Sequence, residues 1–144
     1  MTVDGCRVVI TGGASGIGLA IARQLADRGC QVVLADIDAA ALTICADERD
    51  TFHTFACDVT QQDALEALAD FSWATLGGVD LVFANAGVGL PLRPLLDQTE
   101  AHARWVMEVN YFGVWHTLQT FGPRLLEQGS QCPVVVTGLS LIHI

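Results

Sequence analysis

Two spacings in this chain carry chemistry. Thr11-Gly12-Gly13-Ala14-Ser15-Gly16-Ile17-Gly18 follows the apolar run Arg7–Thr11 (RVVIT) and leads into a segment of helical period. Glycines at 12, 16 and 18 permit a tight turn, close approach of backbone to a pyrophosphate, and close packing of helix on strand. A helix starting there points unsatisfied N–H groups and a positive dipole end at the anion. The strand–turn–helix setting raises this spacing above a merely flexible loop. Asp36 ends the next apolar run, Gln31–Asp36 (QVVLAD). A carboxylate there accepts hydrogen bonds from both ribose hydroxyls of an adenosine and repels a 2′-phosphate. Ile37, not an arginine, follows it, and Ala14 stands in the loop. The expected cofactor is therefore NAD(H) in preference to NADP(H).

These residues need a scaffold, and the pattern supplies one. Short Val-rich runs at Arg7–Thr11, Gln31–Asp36, Phe52–Cys57, Val79–Ala84 and Pro133–Thr137 alternate with helical segments near Gly16–Arg28, Ala39–Ala46, Gln61–Leu76 and Thr99–Gln128. The runs are continuously apolar, as strands covered on both faces are. Strict alternation of β and α implies a parallel sheet with right-handed crossovers, a doubly wound Rossmann-type α/β fold in three layers. Five strands are expected, an incomplete domain. Ser15, Asp38, Thr60 (with Asp63 three residues on) and Thr99 stand where helix N-caps belong. Gly122-Pro123 is expected to kink or divide the fourth helical segment, whose Trp105, Val109, Phe112 and His116 share one face.

Composition excludes several alternatives. The 144 residues hold 16 Asp and Glu against 7 basic residues, a net charge of −9 with a pI near 4.5, which argues against a nucleic-acid partner. Every basic residue is an arginine, so Walker-type phosphate loops, Schiff bases and tyrosine–lysine acid–base pairs cannot be built from these residues. No apolar stretch approaches the roughly 18 residues of a membrane span, and Met1-Thr2-Val3-Asp4 lacks a basic signal-peptide start. Five scattered cysteines, an odd number without C-x-x-C spacing, read as small buried hydrophobes in a reducing compartment. No membrane association and a cytoplasmic location are expected. His53, His102 and His116 show no ligand spacing, and no metal is expected.

Over residues 5 to 138 the chain resembles the short-chain dehydrogenase/reductase family. Thr11–Gly18 matches that family's T-G-x-x-x-G-I-G loop in full, Cys57-Asp58-Val59-Thr60 its D-V segment, Ala84-Asn85-Ala86-Gly87 its N-A-G motif, and Val109-Asn110-Tyr111-Phe112-Gly113 its asparagine-bearing helix. The resemblance implies cofactor contacts at Thr11, Gly12, Ser15, Gly16, Ile17, Gly18, Asp36, Asp58, Val59, Asn85, Ala86 and Gly87. It implies that Asp58 meets the adenine amino group. It also gives Asn110 a catalytic role in a proton relay, its backbone holding a water. The implied reaction is hydride transfer between NAD(H) and a small-molecule alcohol or carbonyl substrate, in a homo-oligomer.

That family draws its acid–base from a tyrosine four residues before a lysine. Here the single tyrosine is Tyr111, with Trp115 four positions on. The chain as written is therefore expected to bind without turning over. Leu139-Ser140-Leu141-Ile142-His143-Ile144 is what a transposase mosaic-end adapter encodes. The expected organisation is an NAD-binding domain over 1–138 and a non-native tail over 139–144, which leaves Ser140 and His143 without a role. Two other readings remain: a non-catalytic NAD-binding regulatory module, and a class I S-adenosylmethionine methyltransferase.

Overall fold

A computed structural model describes residues 3–90, 94–129 and 133–138. The expected tail 139–144, with Ser140 and His143, lies outside the described residues, as does Cys132. Strands β1 (Arg7–Thr11), β2 (Gln31–Asp36), β3 (Phe52–Ala56), β4 (Leu81–Ala84) and β5 (Val134–Val136) form one parallel sheet in the order β3-β2-β1-β4-β5. The chain begins at the centre of the sheet, winds out to β3, then crosses back to β4. That reversal between β1 and β4 opens a crevice at the carboxyl ends of the strands.

Two cores follow from the alternation of side chains along β1 and β2. Val8, Ile10, Val32 and Leu34 pack on one face against α1 (Gly16–Ala26) and α2 (Ala39–Ala46). Val9, Val33 and Ala35 pack on the other against α3 (Gln62–Leu76) and α5 (Gly113–Gln128). The expected three layers are present. β5, at the edge of the sheet, presents exposed apolar surface: Val135 and Val136 are 38% and 51% exposed.

Two of the four expected helix caps are present and two are not. Asp38 and Thr99 do cap, accepting the N–H groups of Ala41 (2.9 Å) and His102 (3.2 Å). Ser15 makes no cap hydrogen bond. Thr60 does not cap either: its N–H and hydroxyl both turn back to Asp58 Oδ1 (2.9 and 2.8 Å), and Gln61 takes the cap position. α1 stops at Ala26 because Gly29 adopts φ 75° and the Cys30 N–H returns to the Leu25 carbonyl.

The fourth helical segment is corrected most. It divides into α4 (Glu100–Met107), a π-helical turn (Glu108–Phe112) and α5. α5 runs unbroken through Gly122-Pro123. The interruption falls twelve residues earlier than Gly122, around Asn110 itself.

At the amino ends of the strands, Arg7 grips Asp80. The Arg7 N–H and Nε donate to Oδ2 (2.9 and 2.8 Å), Nη2 donates to Oδ1 (2.7 Å), and Nη1 donates to the Gly77 carbonyl (2.9 Å). The Arg7 guanidinium holds the Asp80 carboxyl below the usual carboxylate range.

Candidate functional site

The glycine turn sits over the carboxyl end of β1; Gly12 and Gly18 are there for room, and Gly16, with open space around it, for its φ of 50°. Gly12 (φ 64°) lies so close to the next loop that a Cβ would meet Ala86 Cα at 2.8 Å. A Cβ on Gly18 would be driven into the Gly12 carbonyl oxygen. Asn85 locks this contact, donating from Nδ2 to the Thr11 and Gly12 carbonyls (3.1 and 3.2 Å). Thr11 sits behind the turn, 1% exposed: its hydroxyl accepts the Asn85 and Ala86 N–H groups (3.0 and 3.1 Å) and donates to the Phe83 carbonyl (3.3 Å). With Ser15 leaving the helix start uncapped, the first-turn N–H groups of α1 are available to an anion.

Asp36 is aimed by backbone. Its Oδ2 accepts the Ala14 N–H (3.0 Å) and its Oδ1 the Asp38 N–H (3.1 Å), so the carboxylate is tied to the glycine turn and to the start of α2. Beyond it, Cys57, Asp58, Val59 and Thr60 form the wall next to β3. Burial, with the Asp58 charge beside it, pushes the Cys57 thiol up to about 12, so it stays protonated and unreactive at neutral pH.

The other end of the cleft is shaped by the loop after β4 and by the π turn. Asn110 pairs with the backbone of Val88 twice: Oδ1 accepts its N–H and Nδ2 donates to its carbonyl, both at 2.8 Å. The wide turn at Glu108–Phe112 is the local irregularity that carries this side chain. Gly87 has ordinary space around it, the nearest atom to a Cβ being Asn110 Oδ1 at 3.5 Å, so nothing in the protein itself demands glycine there.

Together these segments enclose a cleft of about 1220 Å³. Of the residues singled out in the sequence, Gly12, Ser15, Gly16, Ile17, Gly18, Asp36, Asp58, Val59, Asn85, Ala86, Gly87 and Asn110 line it; Thr11 braces it from behind. Tyr111 does not line it. That ring is 54% exposed and stands edge-on to Phe112 with centroids 5.1 Å apart. His53 meets Gln31 on the surface at 2.9 Å, and no three metal-ligating side chains cluster among the described residues. Sequence reasoning missed Trp105 and Val106 as lining residues, and Val88 and His116 as partners. Spacing places Trp105 and His116 on one helix face but names no partner for them; Val88 and His116 matter through contacts with residues far away in the chain.

The family model described as short chain dehydrogenase matches residues 7–139. The chain is 36% identical over 144 residues to the 7alpha-hydroxysteroid dehydrogenase of Escherichia coli K12, covering 97% of this chain and 56% of that protein. It is 39% identical over 136 residues to the 1-deoxy-11-beta-hydroxypentalenate dehydrogenase of Streptomyces arenae, covering 90% of this chain and 48% of that protein. Among solved structures, a short chain dehydrogenase/reductase from Burkholderia phymatum in complex with NAD superposes with a TM-score of 0.85 at 35% identity, over 94% of this chain and 50% of that one. The chain thus spans about half the length of the curated relatives it matches. On these matches, and on the parallel sheet and glycine turn they share a family with, this chain belongs to the short-chain dehydrogenase family.

Proposed function

We propose that residues 1–138 are the NAD(H)-binding part of an oxidoreductase that moves hydride between the nicotinamide and an alcohol or carbonyl substrate. The observation that carries this reading is the Asp36 carboxylate, fixed by the Ala14 and Asp38 N–H groups beside a glycine turn that has no room for a side chain at 12 or 18. Those features fit a dinucleotide: a cradle of backbone for the diphosphate, a fixed acceptor for the ribose hydroxyls, and Ile37 rather than an arginine as the residue that follows it. The dehydrogenase names of the relatives and the NAD in the Burkholderia structure support the same class.

In this reading Gly12, Ser15, Gly16, Ile17 and Gly18 hold the diphosphate, with Thr11 supporting them. Asp36 holds the adenosine ribose, Asp58 and Val59 the adenine, and Asn85, Ala86 and Gly87 border the nicotinamide ribose. The bound cofactor supplies or accepts hydride. Asn110 keeps the loop at Val88 in position, and its main chain, in an open π turn, is where the family's proton-relay water would sit. Tyr111 lies outside the cleft and the chain contains no lysine, so these residues offer no acid–base for the substrate oxygen. The chain alone is expected to bind cofactor without turnover, which is also what the regulatory-module reading requires.

Three further parts of the proposal rest on narrower observations. Trp105, Met107, Tyr111, Phe112 and Trp115 form an exposed apolar face along α4, the π turn and α5, which supports a homo-oligomer in the whole protein. Buried free thiols at Cys30, Cys45 and Cys57 support a reducing, cytoplasmic setting, and among the described residues no helix is long and apolar enough to cross a membrane. Residues 139–144 are proposed to be translated adapter; source DNA with codons other than the mosaic-end string removes that reading.

Fluorescence titration of the chain with NADH, NADPH and S-adenosylmethionine tests the main claim. NADH should bind, NADPH about tenfold more weakly, and S-adenosylmethionine not at all. No NADH binding, or equal binding of NADPH, overturns it.

A further inference from the structure

Gly113, His116, Thr117 and Thr120 lie on one side of α5, at i, i+3, i+4 and i+7. That side rests on the turn after β3. Gly113 is pressed so closely to Val59 that a Cβ there would meet Val59 Cγ2 at 2.6 Å. The Thr120 hydroxyl accepts Gln62 Nε2 at 2.8 Å. Between these two contacts, His116 Nδ1 lies 3.3 Å from the Val59 carbonyl oxygen. A carbonyl only accepts, so in this contact Nδ1 carries the hydrogen and donates it. Phe112, 6.4 Å away between centroids, flanks the same ring.

Val59 is a wall of the cleft beside Asp58, and it lies against Gly113, the residue that follows the π turn. The Asp58 side chain spends Oδ1 on its own turn, through Thr60. The carbonyl of Val59 is thus where a helix from the other half of the chain takes hold of that wall. We propose that His116 is a positioning residue for the adenine end of the cleft: its Nδ1–H fixes the Val59 carbonyl, and with it the Asp58–Val59 turn, at the place where adenine binds. This deepens, and rests on, the dinucleotide reading above. The stretch from the π turn into α5 then touches the cleft at two separate points, Val88 through Asn110 and Val59 through His116.

The test uses AMP, the adenosine half of the cofactor, on the 144-residue chain. His116→Leu removes the donor at similar bulk; His116→Asn keeps a donor near the Nδ1 position. The leucine variant should bind AMP about fivefold more weakly, the loss of one neutral hydrogen bond, and the asparagine variant should recover to within about twofold of the original chain. Nitrogen-15 spectra of the original chain at alkaline pH should show Nδ1 protonated and Nε2 bare, a readout that needs no variant to fold. An Nε2–H tautomer, unchanged AMP affinity in His116→Leu, or an asparagine variant as weak as the leucine variant each overturns the assignment. If the original chain binds neither AMP nor NADH, the dinucleotide reading itself fails, and this assignment with it.

Discussion

At the Asp36–Asp58 end of the cleft, the walls hang from β1, β2 and the half-buried β3, and in β1 and β2 Val8, Val9, Ile10, Val32, Val33 and Leu34 are fully buried. At the opposite end they hang from α4, which buries no residue, from a π turn that buries none either, and from β5 with its exposed valines. The first end is held by glycine contacts, backbone N–H groups on Asp36, His116 on the Val59 carbonyl, and two cores beneath. The second is held by one side chain, Asn110, on one loop residue, Val88. A ligand site can be finished at one end while its other end still presents open apolar surface. Function that depends on the first end should be sensitive to single atoms. Function that depends on the second should respond to whatever further surface covers it.

The harshest way to break the first end is to put a side chain where none fits. Gly18→Val drives its Cβ into the Gly12 carbonyl, which cannot move without dislodging Asn85 and Ala86. Overpacking against backbone costs about 3 kcal/mol or more, so the urea midpoint should drop sharply and NADH binding should vanish. A variant that still binds NADH within tenfold would show that the turn is not the cradle.

Next comes the clamp at the far ends of the same strands. Asp80→Ala strips Arg7 of three charge-assisted hydrogen bonds, and about 2–3 kcal/mol of stability should go with them, measured by urea unfolding. Because the folded carboxyl is held below its ordinary range, its contribution is complete above roughly pH 4 and fades as pH falls through the lowered value. The gap between original and variant should therefore be flat from about pH 5 to 8 and close in acid. NADH affinity at neutral pH should not change, which separates the sheet's stabilising end from its binding end.

How far these regions were legible follows the same division. β1 and β2 could be read because strands buried on both faces are apolar without interruption, and Gly18 because what crowds it, the Gly12 carbonyl, lies within the turn, whereas Gly12 is crowded by Ala86 from far along the chain. The single helix expected over Thr99–Gln128 was misdrawn because a π turn uses the same apolar residues as an α-helix and differs by one residue in spacing. Pro123 is the residue type that breaks helices, yet α5 continues past it. Asn110 was singled out, but its partner Val88 is 22 residues away, and no local pattern encodes that pairing. Ser15 and Thr60 were good capping residues by type whose side chains went unused or turned elsewhere.

Asn110→Ala probes the weaker end. It removes two hydrogen bonds to Val88, about 2 kcal/mol together, and hydrogen exchange at the Val88 amide should speed up by more than tenfold. AMP binding should stay within about twofold, since the Asp36–Asp58 wall is untouched. An equal loss of AMP affinity would mean that the two ends are not built independently.

The gentlest test returns to the first end. Asp36→Ala keeps the glycine turn and the two cores and takes away only the acceptor that Ala14 and Asp38 hold in place. NADH should lose about tenfold in affinity, near 1.4 kcal/mol, because its ribose hydroxyls lose a charged partner. NADPH should lose nothing and can gain, because the carboxylate that repelled its 2′-phosphate is gone, so the two cofactors should converge. Parallel titrations decide it. Should NADH stay tenfold ahead of NADPH in the alanine variant, the discrimination lies elsewhere in the cleft. Ile37, which lines it just after the strand, is then the residue to change next.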